Sequence, residues 1–164
     1  MTITHNTAQI PVRLDFDRLA PVFSRAMSHL DQAATKELDA AEIDPRLREL
    51  IRIRASQLNG CAYCIDMHTL DARSIGESEQ RIYALSAWRE APFFTARERA
   101  ALALTEAMTL VHDGHVPDQV YAAAAAEFDA AELSQLAWLV IVINAWNRMG
   151  ITARLAAGEY DPSA

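Results

Sequence analysis

Apolar residues recur along this chain at spacings of three and four rather than two, and helix-start and helix-stop residues separate the stretches that carry them. Residues 1–12 lack the pattern and read as an extended arm with Pro11 at its end. Pro21 suits the first turn of a helix running to about Lys36. Asp44 followed by Pro45 is an N-cap with proline at the first helical position. That helix carries its apolar positions at Leu47, Leu50, Ile51 and Leu58, joined by the stem of Arg54, and stops at Asn59-Gly60. The next is expected from near Cys61 to Ile75, closed by Gly76, and Ser78 caps another through Trp88 before the break at Pro92. Thr95 with Glu98 forms a capping box for a helix to about Val111, and His112-Asp113-Gly114-His115 is a loop. Pro117 starts a helix through the Ala122–Ala126 run, and Asp129 with Glu132 is a second capping box, opening a helix that reaches Met149 before Gly150. The Leu139–Ile143 segment is β-branched enough for a strand. Its length of periodic sequence and its cap decide instead for a helix that is apolar nearly all round and therefore buried. The expected fold is all-α: a single-domain helical bundle over 13–164 with its core at about 44–153.

Composition narrows the function classes. Half the residues are apolar (51%) and 23% are charged, the balance of a chain that buries a core rather than one that stays disordered. A net charge of −7 opposes a general electrostatic grip on nucleic acid or anionic lipid. The longest strongly apolar run, Leu136–Ile143, is too short to span a bilayer, and Met1–Gln9 carries no basic-then-apolar signal pattern. A soluble cytoplasmic protein is expected. Its two cysteines, Cys61 and Cys64, are three residues apart and can staple nothing distant, so a structural disulfide explains them poorly.

Candidate chemistry gathers around that pair. On a helix, Cys61, Cys64 and His68 occupy positions i, i+3 and i+7 and share one face. Asn59-Gly60 places both cysteines in or near the first turn, where free N–H groups and the helix dipole favour thiolate over thiol. His68, one turn beyond Cys64, is placed to accept its proton. Reversible dithiol chemistry is the leading reading. Half of a zinc site, with His68 as third ligand and His112 or His115 completing it, is the metal alternative, and two ordinary core cysteines are the inert one.

Glu49, eleven intervening residues, then Cys61-Ala-Tyr-Cys64-Ile-Asp-Met-His68 resembles the active-site pattern of the alkylhydroperoxidase D (AhpD)-like branch of the carboxymuconolactone decarboxylase family. The resemblance continues through Leu47–Ile51, Asp113–Pro117 and Ile143–Arg148, and spans roughly Asp44 to Ala153. It implies an all-helical protein that assembles as a homo-oligomer, commonly a trimer or hexamer, and reduces hydroperoxides without a metal or bound cofactor. It further implies that Cys64 is the peroxidatic thiol, that Cys61 resolves it, and that Glu49 and His68 relay the protons. A partner dithiol protein, thioredoxin-like or lipoyl-bearing, would return the electrons. The sequence departs from the best-known members in one place: Tyr63 stands between the cysteines where they have a second histidine. Helix-dipole reasoning alone would give the attack to Cys61 instead of Cys64.

Glu49 could also pair with Arg46 or Arg52 on a solvated face; a site role requires its helix to pack antiparallel against the cysteine helix. Tyr63, Met67 and His115 are candidate pocket residues, Asp66 is expected in solvent, and Asn144, Trp146 and Arg148 read as a structural or intersubunit network. Trp88, Trp138 and Trp146 are expected as core or interface anchors. Two rival functions remain at this level: a lactone-acid decarboxylase or isomerase, which would need a basic anion pocket and no dithiol, and a non-catalytic redox-sensing oligomer.

Overall fold

A computed structural model describes residues 10–162, so most of the expected N-terminal arm lies outside the described residues. The described chain contains eight helices and one 3₁₀ turn: α1 (Phe16–Leu19), α2 (Pro21–Ala40), α3 (Pro45–Asn59), α4 (Ala62–Ser74), α5 (Glu79–Ala84), the 3₁₀ turn Leu85–Ala87, α6 (Ala96–Thr109), α7 (Asp118–Ala125) and α8 (Ala130–Ala153). The all-α expectation holds. Asp44 caps α3 through the N–H of Arg46, and both capping boxes, Thr95–Glu98 and Asp129–Glu132, are formed.

Helix α3 is the centre, packed against α4, α6 and α8, and α8 also packs against α2. Leu38, Leu47, Ile51, Leu104, Leu136 and Leu139 form the largest core cluster, at the meeting of α2, α3, α6 and α8. A second cluster joins Leu50 and Ile53 of α3 to Leu85, Trp88 and Leu102. A third is small: Ala55, Cys61, Cys64 and Ile143, flanked by Tyr63 and Trp146. The cysteines thus sit in the seam between α3, the start of α4, and α8.

Three boundaries differ from the sequence expectation. Helix α2 continues beyond Lys36 to Ala40, because Leu38 is fully buried in the main core. The helix capped by Ser78 gives way to a 3₁₀ turn after Ala84. In a 3₁₀ turn residues three apart lie on the same side. Leu85 and Trp88 accordingly both face inward, and the Trp88 indole N–H donates to Glu106 at 2.8 Å. Helix α8 does not stop at Gly150 but runs through it to Ala153, ending at Arg154 with a left-handed φ of 56°. Long and apolar enough for a membrane span by length and composition, α8 serves here as the core helix, with Leu139 fully buried and Trp138 and Ile141 on its outer side.

The core makes one direct prediction. Leu139→Ala leaves a hole where α8 meets the main cluster. It should cost about 2–5 kcal/mol of stability, read as a lower urea midpoint at unchanged slope.

Candidate active site

The site begins with a chain reversal. Gly60 closes α3 with a left-handed φ of 73°, a conformation open to glycine at no steric cost. The Cys61 N–H then returns to the Ser56 carbonyl at 3.0 Å, and α4 runs back along α3. This antiparallel packing carries Glu49 to His68: the Glu49 carboxylate meets His68 Nδ1 at 2.9 Å, and both residues are buried.

Glu49 also pairs with Arg52, so the helix-face partner considered from spacing and the site partner are both present. Burial alone would raise the Glu49 pKa, but the His68 hydrogen bond and the Arg52 guanidinium hold it below the ordinary carboxylate value. Behind His68 stands a second carboxylate, Asp71, at 3.9 Å from Nδ1, and the Tyr160 hydroxyl donates to Asp71 at 2.8 Å. Glu49, His68 and Asp71 offer ligand atoms within 4.8 Å of one another. Arg52 and the Tyr160 hydroxyl already satisfy two of the three, an arrangement suited to holding an oriented imidazole. The cysteine sulfurs are not among these grouped ligand atoms, as the zinc reading would have required.

The two thiols are free and buried, with their Sγ atoms 2.7 Å apart. Cys61 is the N-cap of α4, and Cys64 lies one turn inside it. The hydrogen bond shared with Cys64 is the main cause that brings the Cys61 thiol down from 9.0 to about 7. Burial opposes it, while the backbone N–H groups of Cys64 and Tyr63 and the Asn147 side chain assist. Cys64 moves upward for the complementary reason: the shared proton stays with it, and burial adds to the effect.

Asn147 is a residue the sequence reading passed over. Fully buried on α8, it donates to Ser56 Oγ at 3.0 Å and accepts from the Asn59 side chain at 2.8 Å. Asn59 also donates to Asn144 at 2.9 Å, which turns the expected Asn144 network toward the chain reversal. Gly150, expected as a helix stop, lies inside α8. A Cβ at Gly150 would stand 3.1 Å from the Cys61 sulfur and 3.8 Å from that of Cys64, so the bare backbone makes room for the pair.

A cavity of about 840 Å³ opens beside the thiols, walled by Cys61, Tyr63, Gly150, Ile151, Leu155 and the described end of the arm at Ile10, among others. Tyr63 therefore lines a pocket as expected, whereas Met67 is half-buried and outside that wall. His115 stands exposed in the loop before α7, with a left-handed φ of 59°, and the structure does not bring it to the cysteines. Asp66 is not simply solvated: it accepts the Gly158 N–H at 2.7 Å and, with Asp71, pins the C-terminal segment across α4.

The lowered Cys61 thiol predicts a pH profile. Thiolate, the form that iodoacetamide alkylates, increases as pH rises through about 7, so the iodoacetamide rate on reduced protein should climb about tenfold between pH 6 and pH 8 and then level off. Replacing the Asn147 amide by Leu removes a donor and should move that curve to higher pH, as followed by peptide mapping.

A sequence model of the Carboxymuconolactone decarboxylase family matches residues 21–107. Uncharacterized protein YdfG of Bacillus subtilis (strain 168) is 43% identical over 139 residues, 85% of this chain and 92% of that protein. Uncharacterized protein YnjA of Escherichia coli (strain K12) is 32% identical over 104 residues, 63% of this chain and 57% of that protein. Among solved structures, ATU0492 of Agrobacterium tumefaciens, a protein of unknown function named for antioxidant defence and AhpD, is similar with a TM-score of 0.85 at 31% identity, covering 92% of this chain and 100% of that one. The apo debrominase Bmp8 shares the fold at a TM-score of 0.71 and 19% identity, over 85% of this chain and 73% of that one. A buried dithiol at the start of a helix, a histidine on that helix paired with a glutamate of the preceding one, and these similarities agree: the chain belongs to the carboxymuconolactone decarboxylase family, as an AhpD-like member.

Proposed function

We propose that this protein is a thiol-dependent peroxidase that reduces organic hydroperoxides or hydrogen peroxide through a dithiol/disulfide cycle of Cys61 and Cys64. The observation that carries the reading is the 2.7 Å separation of two free sulfurs on a helix whose next turn carries His68, buried and paired with Glu49. A sulfenic acid formed on either sulfur meets the other thiol at once and condenses to a disulfide with loss of water. The ionised Glu49 holds the His68 ring through Nδ1 and steadies its charge while it passes protons at the site. A lactone-acid enzyme has no use for two sulfurs in this relation. The AhpD name borne by the Agrobacterium relative supports the same direction.

The cycle needs a source of electrons. A partner dithiol, thioredoxin-like or lipoyl-bearing, fits a reducing cytoplasmic setting and closes the cycle by thiol–disulfide exchange. Val22 and Phe23 of α2 and Trp138 and Ile141 of α8 are exposed apolar residues, which supports assembly of copies into a trimer or hexamer, testable by light scattering.

One stoichiometric dose of organic hydroperoxide should remove two hydrogens from the intact mass of the reduced protein within seconds. Excess dithiothreitol should restore them and sustain repeated turnover. A purely redox-sensing oligomer would oxidise slowly and fail to turn over, and protein that stays reduced for minutes would defeat the peroxidase reading. His68→Ala, which removes the ring held by Glu49, should slow the oxidation by about 100-fold or more in stopped flow.

A further inference from the structure

The C-terminal segment has little to bury. Residues 155–159 follow the left-handed end of α8 at Arg154 without regular secondary structure, and every one of them is exposed, the apolar Leu155 included. Within 155–160 only Tyr160 is partly buried. A stretch of coil that gains no core contact frays unless something ties it down. Two of its ties end on α4. The Gly158 N–H donates to Asp66 at 2.7 Å, and the Tyr160 hydroxyl donates to Asp71 Oδ1 at 2.8 Å.

Asp71 gives this docking a consequence at the site. Its other carboxylate oxygen, Oδ2, stands 3.9 Å from His68 Nδ1, the nitrogen that meets Glu49 at 2.9 Å. Two carboxylates thus converge on one ring nitrogen. Glu49 is held as a carboxylate, so the nitrogen it meets at that distance carries a proton, and the ring stands with Nδ1–H toward the two acids. The arrangement does not support itself, because the acids repel each other and each is drawn toward water or a cation. Arg52 of α3 pairs with Glu49, and Asp31 of α2 stands behind Arg52 at 3.8 Å. Asp71 has no such cation, and with its side chain 28% exposed it has room to swing outward. Among the described residues, the Tyr160 hydroxyl is the donor that holds its carboxylate in place. The same hydrogen bond, helped by burial, lifts the Tyr160 pKa to about 12, so the hydroxyl keeps its proton and remains a donor throughout the neutral range.

Resting on the dithiol-peroxidase reading for what the imidazole does, though not for where it stands, we propose that Tyr160 is a positioning residue for His68. It acts through Asp71, and the C-terminal segment thereby completes the setting of the histidine. Tyr160 hands over no proton. Its hydroxyl fixes Asp71 Oδ1, and Asp71 Oδ2 places a second negative charge on the Nδ1 side of the ring. Nδ1 is then committed to the acids, which leaves Nε2 as the nitrogen that takes and gives protons at the site. Without the hydroxyl, Asp71 turns to water, and Glu49 alone holds a ring that rocks about its Cβ–Cγ bond. A working group held on one side only spends less of its time in productive geometry.

The test follows the His68 Nδ1–H resonance by NMR in the reduced, isotope-labelled full chain, assigned by its loss in His68→Ala, and measures how fast that proton exchanges with water. Tyr160→Phe keeps the aromatic ring, removes the hydroxyl and should speed the exchange about 10-fold over wild type. Asp71→Asn should do the same, and the double variant should add little to either, since both cut one path. Circular dichroism and the urea midpoint check that each variant keeps the fold. In turnover with cumene hydroperoxide and excess dithiothreitol, Tyr160→Phe should lower kcat about 5-fold and leave KM within about 2-fold of wild type. Exchange that is unchanged in Tyr160→Phe, or faster there but unchanged in Asp71→Asn, overturns the positioning role. A loss confined to KM overturns it as well and leaves the segment a wall of the cavity. A wild type that stays reduced under hydroperoxide defeats the peroxidase reading alone, and the exchange rates still decide whether Tyr160 positions His68.

Discussion

Everything at this site depends on the tight reversal between α3 and α4. With Gly60 in a left-handed conformation and the Cys61 N–H tied back to Ser56, α4 must return along α3. Glu49, separated from Cys61 by eleven residues that include the turn, then falls beside His68 rather than on a solvated face. The reversal is itself held from outside: the Asn59 amide is clamped by the side chains of Asn144 and Asn147 on α8. Both bonds come from the Asn59 Nδ2, and Asn147 is fully buried, so losing one partner leaves a desolvated polar group behind. The longest helix of the bundle thereby fixes the register of a turn more than eighty residues earlier in the chain.

The same helix α3 carries most of the charge that the core must absorb. Arg48 reaches Asp39 and the backbone carbonyls of Ile43 and Leu38, Arg52 reaches Glu49, and Arg54 donates to Glu106 at 2.7 Å. Glu106 in turn gathers Trp88 and Arg89. A buried ion pair is weak evidence of net stability, since desolvation offsets most of the attraction. Its consequence here is directional. With Arg52 beside it, Glu49 stays a carboxylate while buried, and a buried carboxylate is what a histidine ring needs if it is to carry positive charge out of water.

Much of this was legible in the residues. Caps are local chemistry, so Asp44, Thr95 with Glu98, and Asp129 with Glu132 announced their helices correctly. The face shared by Cys61, Cys64 and His68 follows from helical spacing, and Glu49 entered through the spacing of the whole pattern. What escaped was decided by tertiary contact. Gly150 has the local signature of a helix stop, but its reason is the sulfur packed against it. Asn147 is an ordinary polar residue in an apolar helix until Ser56 and Asn59 are seen around it. Trp88 ended its helix early because a 3₁₀ turn lets it reach Glu106. His115 beside Asp113 resembled a site fragment, yet nothing in local sequence could show which way its loop faces.

The match to the family model divides the site in an instructive way. Residues 21–107 contain Glu49, Cys61, Cys64 and His68, the groups to which the proposed cycle gives the electrons and protons. Asn147, Gly150, Ile151 and the C-terminal segment lie beyond it, and these set the surroundings of Cys61 and the walls of the cavity. The C-terminal segment is held across α4 by Asp66 and Asp71, the second of which also faces His68. Chemistry and access are therefore built from different stretches of chain that meet only in three dimensions. A change in α8 or the tail can therefore reshape the cavity beside Cys61 without touching Glu49, Cys64 or His68.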